Sequence, residues 1–153
     1  HYGSLLAAVS YADGIGLECW ELQEARQKSL RLKEHSEEKL RQAIAARVPE
    51  QLVPAIRDAQ VASIFTDELN NAEQLLSEIR SAVCDQLTRA LQDDDISNLI
   101  AAVAAAESAC FEDKADLELK QQAEGLLKTL KEESEERLVE AMASENVNPR
   151  TLS

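Results

Sequence analysis

Residues 47 positions apart carry the same kind of side chain in this chain, and that recurrence limits the fold more than any other feature. Leu5, Leu52 and Leu99 match, as do Leu6, Val53 and Ile100. Ala8, Ala55 and Ala102, then Val9, Ile56 and Val103, then Ala12, Ala59 and Ala106 follow, and Leu17, Ile64 and Phe111 close the set. Beyond Phe111 the correspondence resumes at a step of 51. It then aligns Ala25, Ala72 and Ala123; Leu32, Ile79 and Leu130; Leu40, Leu87 and Leu138; Ala43, Ala90 and Ala141; and Ile44, Leu91 and Met142. The four additional residues are expected in a loop near 112–116, where an insertion disturbs least. Three tandem units are therefore predicted, at about 5–51, 52–98 and 99–148, in a single helical region over 1–153.

Each unit reads as a short helix followed by a long one. Leu52, Val53, Ile56 and Ala59 fall on one helical face. Pro49 and Pro54 are placed at its start, where a missing N–H is harmless. Asp93, Asp94 and Asp95 cap the third short helix, and Gly14 and Gly16 end the first. In the second long helix Leu69, Ala72, Leu76, Ile79, Val83, Leu87 and Ala90 recur at steps of three and four, behind a Thr66-Asp67-Glu68 start. A break near Ser36 and Ser134 would give three helices per unit. No turn residue accompanies those serines, so a continuous helix is expected. Short connections make neighbours antiparallel, so each short helix packs on the start of its own long helix and the end of the preceding one. The expected fold class is all-α: three tandem helical-hairpin repeats in an elongated bundle or short solenoid.

Composition supports this reading. Apolar residues make up 44% of the 153 positions and aromatics only 3%, so the core must be aliphatic; four Gly and three Pro leave too few turns for an all-β fold. A net charge of −13 repels phosphate backbones and anionic lipid, which argues against nucleic-acid and membrane partners and leaves a protein partner, a basic one being attracted by the acidic surface. Cys19, Cys84 and Cys110 are odd in number and not equivalent between units. They read as free, small apolar groups in a reducing, cytoplasmic setting. No apolar run is long enough for a membrane span, His1-Tyr2-Gly3-Ser4 shows no signal peptide, and the missing initiator Met suggests an excised piece of a larger protein or a tag remnant. Leu152 is read as the first apolar residue of a following unit.

The period and helix content resemble the α-solenoid class, including armadillo and HEAT arrays, although the Arg, Asp and Pro positions of a HEAT unit are not evident. The unit L-x-x-A-[V/I]-x-x-A plus a long Leu/Ala/Glu helix also looks like degenerate helical repeats of large cytoskeletal or ciliary proteins. The resemblance implies a scaffold or spacer and transfers no functional residue.

The chemistry expected is sparse. His35 sits in a charged stretch and reads as a solvated residue, and no Cys–His pairing can be read. Gly14 and Gly16 lack the Lys and Ser/Thr of a phosphate loop, and the Asp93–Asp95 run lacks EF-hand spacing. No catalytic residue, cofactor or metal is expected. Binding through an exposed acidic and apolar groove is expected, with the mid-helix strip Ser36, Val83 and Ser134 as the candidate surface. Tyr11 and Trp20 are also candidates, although core filling under an end cap is the simpler reading for those two rings. The function expected is a non-enzymatic interaction or scaffold module; the alternative is a regulatory or lever-like segment of a larger enzyme or motor.

Overall fold

Good helix formers fill the long seams, and the described residues form six helices joined by short connectors. The computed structural model describes residues 2–151, and side chains over 2–145. The helices are α1 (Tyr2–Gly14), α2 (Trp20–Ala46), α3 (Pro49–Val61), α4 (Asp67–Asp93), α5 (Ile96–Ser108) and α6 (Lys114–Thr151). Among the described residues there is no strand. The long helices are continuous, so the break considered at Ser36 and Ser134 does not occur. Leu152, together with His1, lies outside the described residues.

The helix ends recur at the sequence period. α1, α3 and α5 begin at Tyr2, Pro49 and Ile96, and α2, α4 and α6 begin at Trp20, Asp67 and Lys114. Just past the short helices, Gly16, Ser63 and Cys110 all take left-handed backbone, with φ of 69°, 59° and 52°. Leu17 N–H donates to Ala12 O at 3.0 Å, and Ile64 N–H donates to Ala59 O at 2.9 Å, the six-to-one closure that occupies an otherwise unpaired terminal carbonyl. After α2 and α4, Arg47 and Asp94 are left-handed as well, at 54° and 51°. Glycine is the residue that adopts this geometry without steric cost, and only Gly16 among these five is one.

Four local expectations need correction. The connector before α6 (residues 109–113) has the same length as residues 15–19 and 62–66, so the four added residues lie inside α6 and not in a loop. Four residues are just over one helical turn, so the buried face is kept: Ala123 and Leu127 are buried like Ala72 and Leu76. Pro54 stands in the second turn of α3, where its missing N–H does remove an intrahelical bond. Thr66 Oγ1 has no hydrogen-bond partner, so this side chain does not cap α4. Of the three aspartates only Asp95 caps α5, accepting from Ser97 N–H at 2.9 Å; Asp93 ends α4, and Asp94 follows it in left-handed geometry.

The chain divides into two compact units, and the division falls within α4. The first unit holds His1–Ser81 and Ser108–Cys110. In it α1 and α3 both pack on α2. Arg26 of α2 pairs with Asp13 at the end of α1, while Leu40 and Ala43 of α2 join Leu52, Ala55, Ile56 and Ala59 of α3 in one cluster. α1 thus follows the first half of α2 and α3 the second. Where they meet, Gly3 N–H donates to Ala62 O at 3.2 Å, which aligns the two helix dipoles head to tail. Leu69, Ala72 and Leu76 of α4 complete the cluster around α3. The short helix therefore packs against the end of the preceding long helix and the start of its own, as expected. Arg80 closes the unit by donating to the carbonyls of Ala109, at 3.2 Å, and Cys110.

The second unit comprises Ala82–Glu107 and Phe111–Ser153. Its buried side chains are Val83, Leu87 and Ala90 of α4, Leu99, Ala102, Val103 and Ala106 of α5, and Ala123 and Leu127 of α6. Leu87 and Leu99 are sealed almost completely; full burial of a leucine contributes roughly 2 kcal/mol.

Candidate functional site

The expected mid-helix strip does not form a surface. Val83 is only 9% exposed, because steps of four to Ile79 and Leu87 turn it onto the apolar seam. Ser36, in the first unit, is half-buried, and only Ser134 is open to solvent. The two rings move the other way. Tyr11 is 73% exposed and Trp20 68% exposed, so neither fills a core beneath an end cap. Both lie in the first unit, at the end of α1 and the first residue of α2, beside exposed Ile15 and Leu17. A shallow groove runs from Trp20 along Gln23, Glu24, Gln27, Lys28 and Arg31.

A second apolar surface was missed from sequence because its residues align with core positions. Leu138, Val139 and Met142 of α6 are 62%, 65% and 59% exposed. Leu138, Ala141 and Met142 are the counterparts of Leu40, Ala43 and Ile44, which pack with α3, while Val139 stands where α2 has Arg41. The acidic residues here are dense: six glutamates accompany Lys131 and Arg137 across 131–145.

The titratable groups offer one perturbed site. Cys84 Sγ lies 3.2 Å from Asp116 Oδ1, where its thiol donates to the carboxylate. Burial pushes the Cys84 thiol up to about 11, and the hydrogen bond to Asp116 and the negative charges of Asp116 and Asp85 add to it. A thiol held protonated is a poor nucleophile, so this contact serves packing in the second unit. All three cysteines are free and half-buried. His35 is exposed on α2. Among the described residues no three His, Cys, Asp or Glu side chains gather as a metal-binding group, and no helix is long and apolar enough to cross a membrane.

Comparison with known proteins finds no matching family model, no matching curated protein and no matching solved structure. The fold statement supported is that the protein is all-α, and the exposed apolar faces of α1–α2 and α6 are its candidate interaction surfaces.

Proposed function

We propose that the chain is a non-enzymatic scaffold or spacer built of three tandem helical hairpins in an α-solenoid-like array, which presents its surface to protein partners. Its main support is the recurrence of backbone geometry with the sequence period: Gly16, Ser63 and Cys110 share left-handed dihedrals, and Val9, Ile56 and Val103 share burial at 8%, 7% and 7%. A unit whose seam is covered only by its neighbours has no stable form alone, so the units act as one framework. A reducing, intracellular setting fits three free cysteines. The second reading, a lever-like segment of a larger enzyme or motor, is favoured by α4, whose unbroken 27 residues contribute to both compact units.

The test changes the number of units. Deleting residues 49–95 joins Val48 to Ile96, and duplicating that segment adds one unit. Because α1 and α3 follow each other along α2, each unit is expected to advance the array by one 13-residue helix, roughly 20 Å at 1.5 Å per residue. Small-angle scattering should show the maximum dimension falling and rising by equal steps, with helix content per residue unchanged. A shortened chain that unfolds, or a dimension that does not change, removes the proposal.

A further inference from the structure

Trp20 stands on a side of α2 that faces solvent even where a layer of helices is complete. Around α3, the second half of α2, α3 itself and the first half of α4 share one interior. In α4 the residues 47 positions on from the Trp20 groove are Asp67, Asn70, Asn71, Gln74, Leu75 and Glu78. Five of them are exposed within that complete layer, and only Leu75 is half-buried against its interior. The groove along Trp20, Gln23, Glu24, Gln27, Lys28 and Arg31 is therefore an outer surface of the first unit, which a further helix of the same layer leaves open. Where α4 carries Asp67, suited to such a face, α2 carries the chain's one indole at 68% exposure.

The two ends of this groove differ in chemistry. Trp20 and Glu24 stand at one end and Lys28 and Arg31 at the other, with the Gln27 amide between them. Arg26, outside the groove, is held by Asp13, whereas among the described residues Glu24, Lys28 and Arg31 enter no ion pair. Trp20 and Arg31 lie too far apart along one helix to meet, roughly 16 Å at 1.5 Å per residue. A second copy turned end for end brings the two ends together. A two-fold axis through the middle of the groove sets Trp20 of each copy on Arg31 of the other, and Glu24 of each beside Lys28 of the other. A guanidinium over an indole face and a carboxylate beside an ammonium are both attractive, and the symmetry makes each contact twice. Parallel pairing sets like on like.

From this we infer that two copies of the chain pair antiparallel through the outer face of α2, in a symmetric dimer anchored by Trp20. The contact is isologous, so both copies use the same surface and association stops at two. A strip of this length buries less than the ~800 Å² per partner of a standard interface, and a net charge of −13 on each copy opposes their approach. The dimer is accordingly weak, dissociating at micromolar to millimolar concentration. It does not depend on the array reading, since a lever-like segment with the same α2 pairs in the same way.

The experiment is sedimentation equilibrium of the full chain from micromolar to millimolar concentration, with tryptophan emission read on the same samples. Trp20 is the one tryptophan, so a blue shift reports its own burial. The parent should reach a dimer and go no further, and the emission should shift along the same binding curve. Glu24→Lys and Lys28→Glu each set like charges across the axis, and each alone should weaken association at least ~tenfold. Mixed in equal amounts, these two variants again oppose acid and base across the axis, so the mixture should recover the pairing that neither shows alone. Both positions are exposed, and circular dichroism verifies that helix content is kept. A parent monomeric to millimolar concentration overturns the inference and leaves a partner of another kind as the occupant. Growth past two copies, a dimer whose formation leaves the emission unmoved, or a mixture no tighter than its components overturns it as well.

Discussion

Leu40 in α2 and Leu138 in α6 occupy the same place in closely similar stretches, Leu32–Leu40 and Leu130–Leu138, yet the first is fully buried and the second is 62% exposed. Both stretches place a leucine at each end of a polar, mostly charged run. What differs is the neighbour: α3 covers Leu40 together with Ala43, and residues 131–145 are exposed throughout. A seam pattern specifies which side of a helix is apolar. It does not specify that anything lies against it, and the stabilisation from burial exists only where a second surface removes water.

The sharpest way to break this comparison is to truncate both leucines. Leu40→Ala should destabilise the protein by about 2–5 kcal/mol, since the methyl groups leave a cavity in a sealed cluster. Leu138→Ala should stay within about 0.5 kcal/mol in the dilute chain. Urea denaturation followed by circular dichroism measures both, and equal losses would show that Leu138 is covered in solution.

A smaller effect compares the ends of α1 and α3. Gly16 and Ser63 are both left-handed, and a Cβ at Gly16 meets nothing within 4 Å, so Gly16→Ala isolates the backbone term. It should cost about 1 kcal/mol, and Ser63→Gly should be neutral or stabilise by up to about 1 kcal/mol. The paired substitutions, read by thermal melting, should therefore shift Tm in opposite directions or leave only Gly16→Ala visible; a drop on Ser63→Gly would mean that its side chain contributes to the cap.

The finest distinction lies within α6, whose start is seated and whose second half is open. Asp116 in its first turns touches Cys84, and alkylation of that thiol reports whether the seat holds. With its pKa near 11 in place of 9.0, Cys84 should present roughly a hundredfold less thiolate at pH 8 than an ordinary thiol. Asp116→Asn should speed its reaction with iodoacetamide, and an unchanged rate would place the two groups apart. The linkage has a definite sign. Above the unfolded pKa the denatured chain loses the thiol proton while the folded chain keeps it, so this contribution to stability is complete below about pH 9 and is lost as pH rises towards 11.

Much of the local structure was legible in the residues. Steps of three and four, the paucity of Gly and Pro, and Asp95 ahead of Ile96 announced the helices and one cap, because these depend on side chains a turn apart. The four-residue insertion was misplaced, because an added turn inside α6 preserves its apolar face as well as a longer loop would. Val83 was misread as surface because its two counterparts are serines, although its own seam points inward. Tyr11 and Trp20 were misread as core because size and apolarity say nothing about whether a third helix is present to receive them.

By itself, then, the sequence determined that this protein is helical, where some of its helices start or stop (the glycines at the end of α1, Pro49 at the start of α3, Asp67 at the start of α4, Asp95 before α5), and which face of the second long helix is apolar. Only the tertiary structure decided which of those faces are closed: α3 inside the first unit, the second half of α6 in the open. The physical reason is range. Helix formation is settled by hydrogen bonds and side chains within a turn or two, whereas burial needs surfaces brought together from distant parts of the chain.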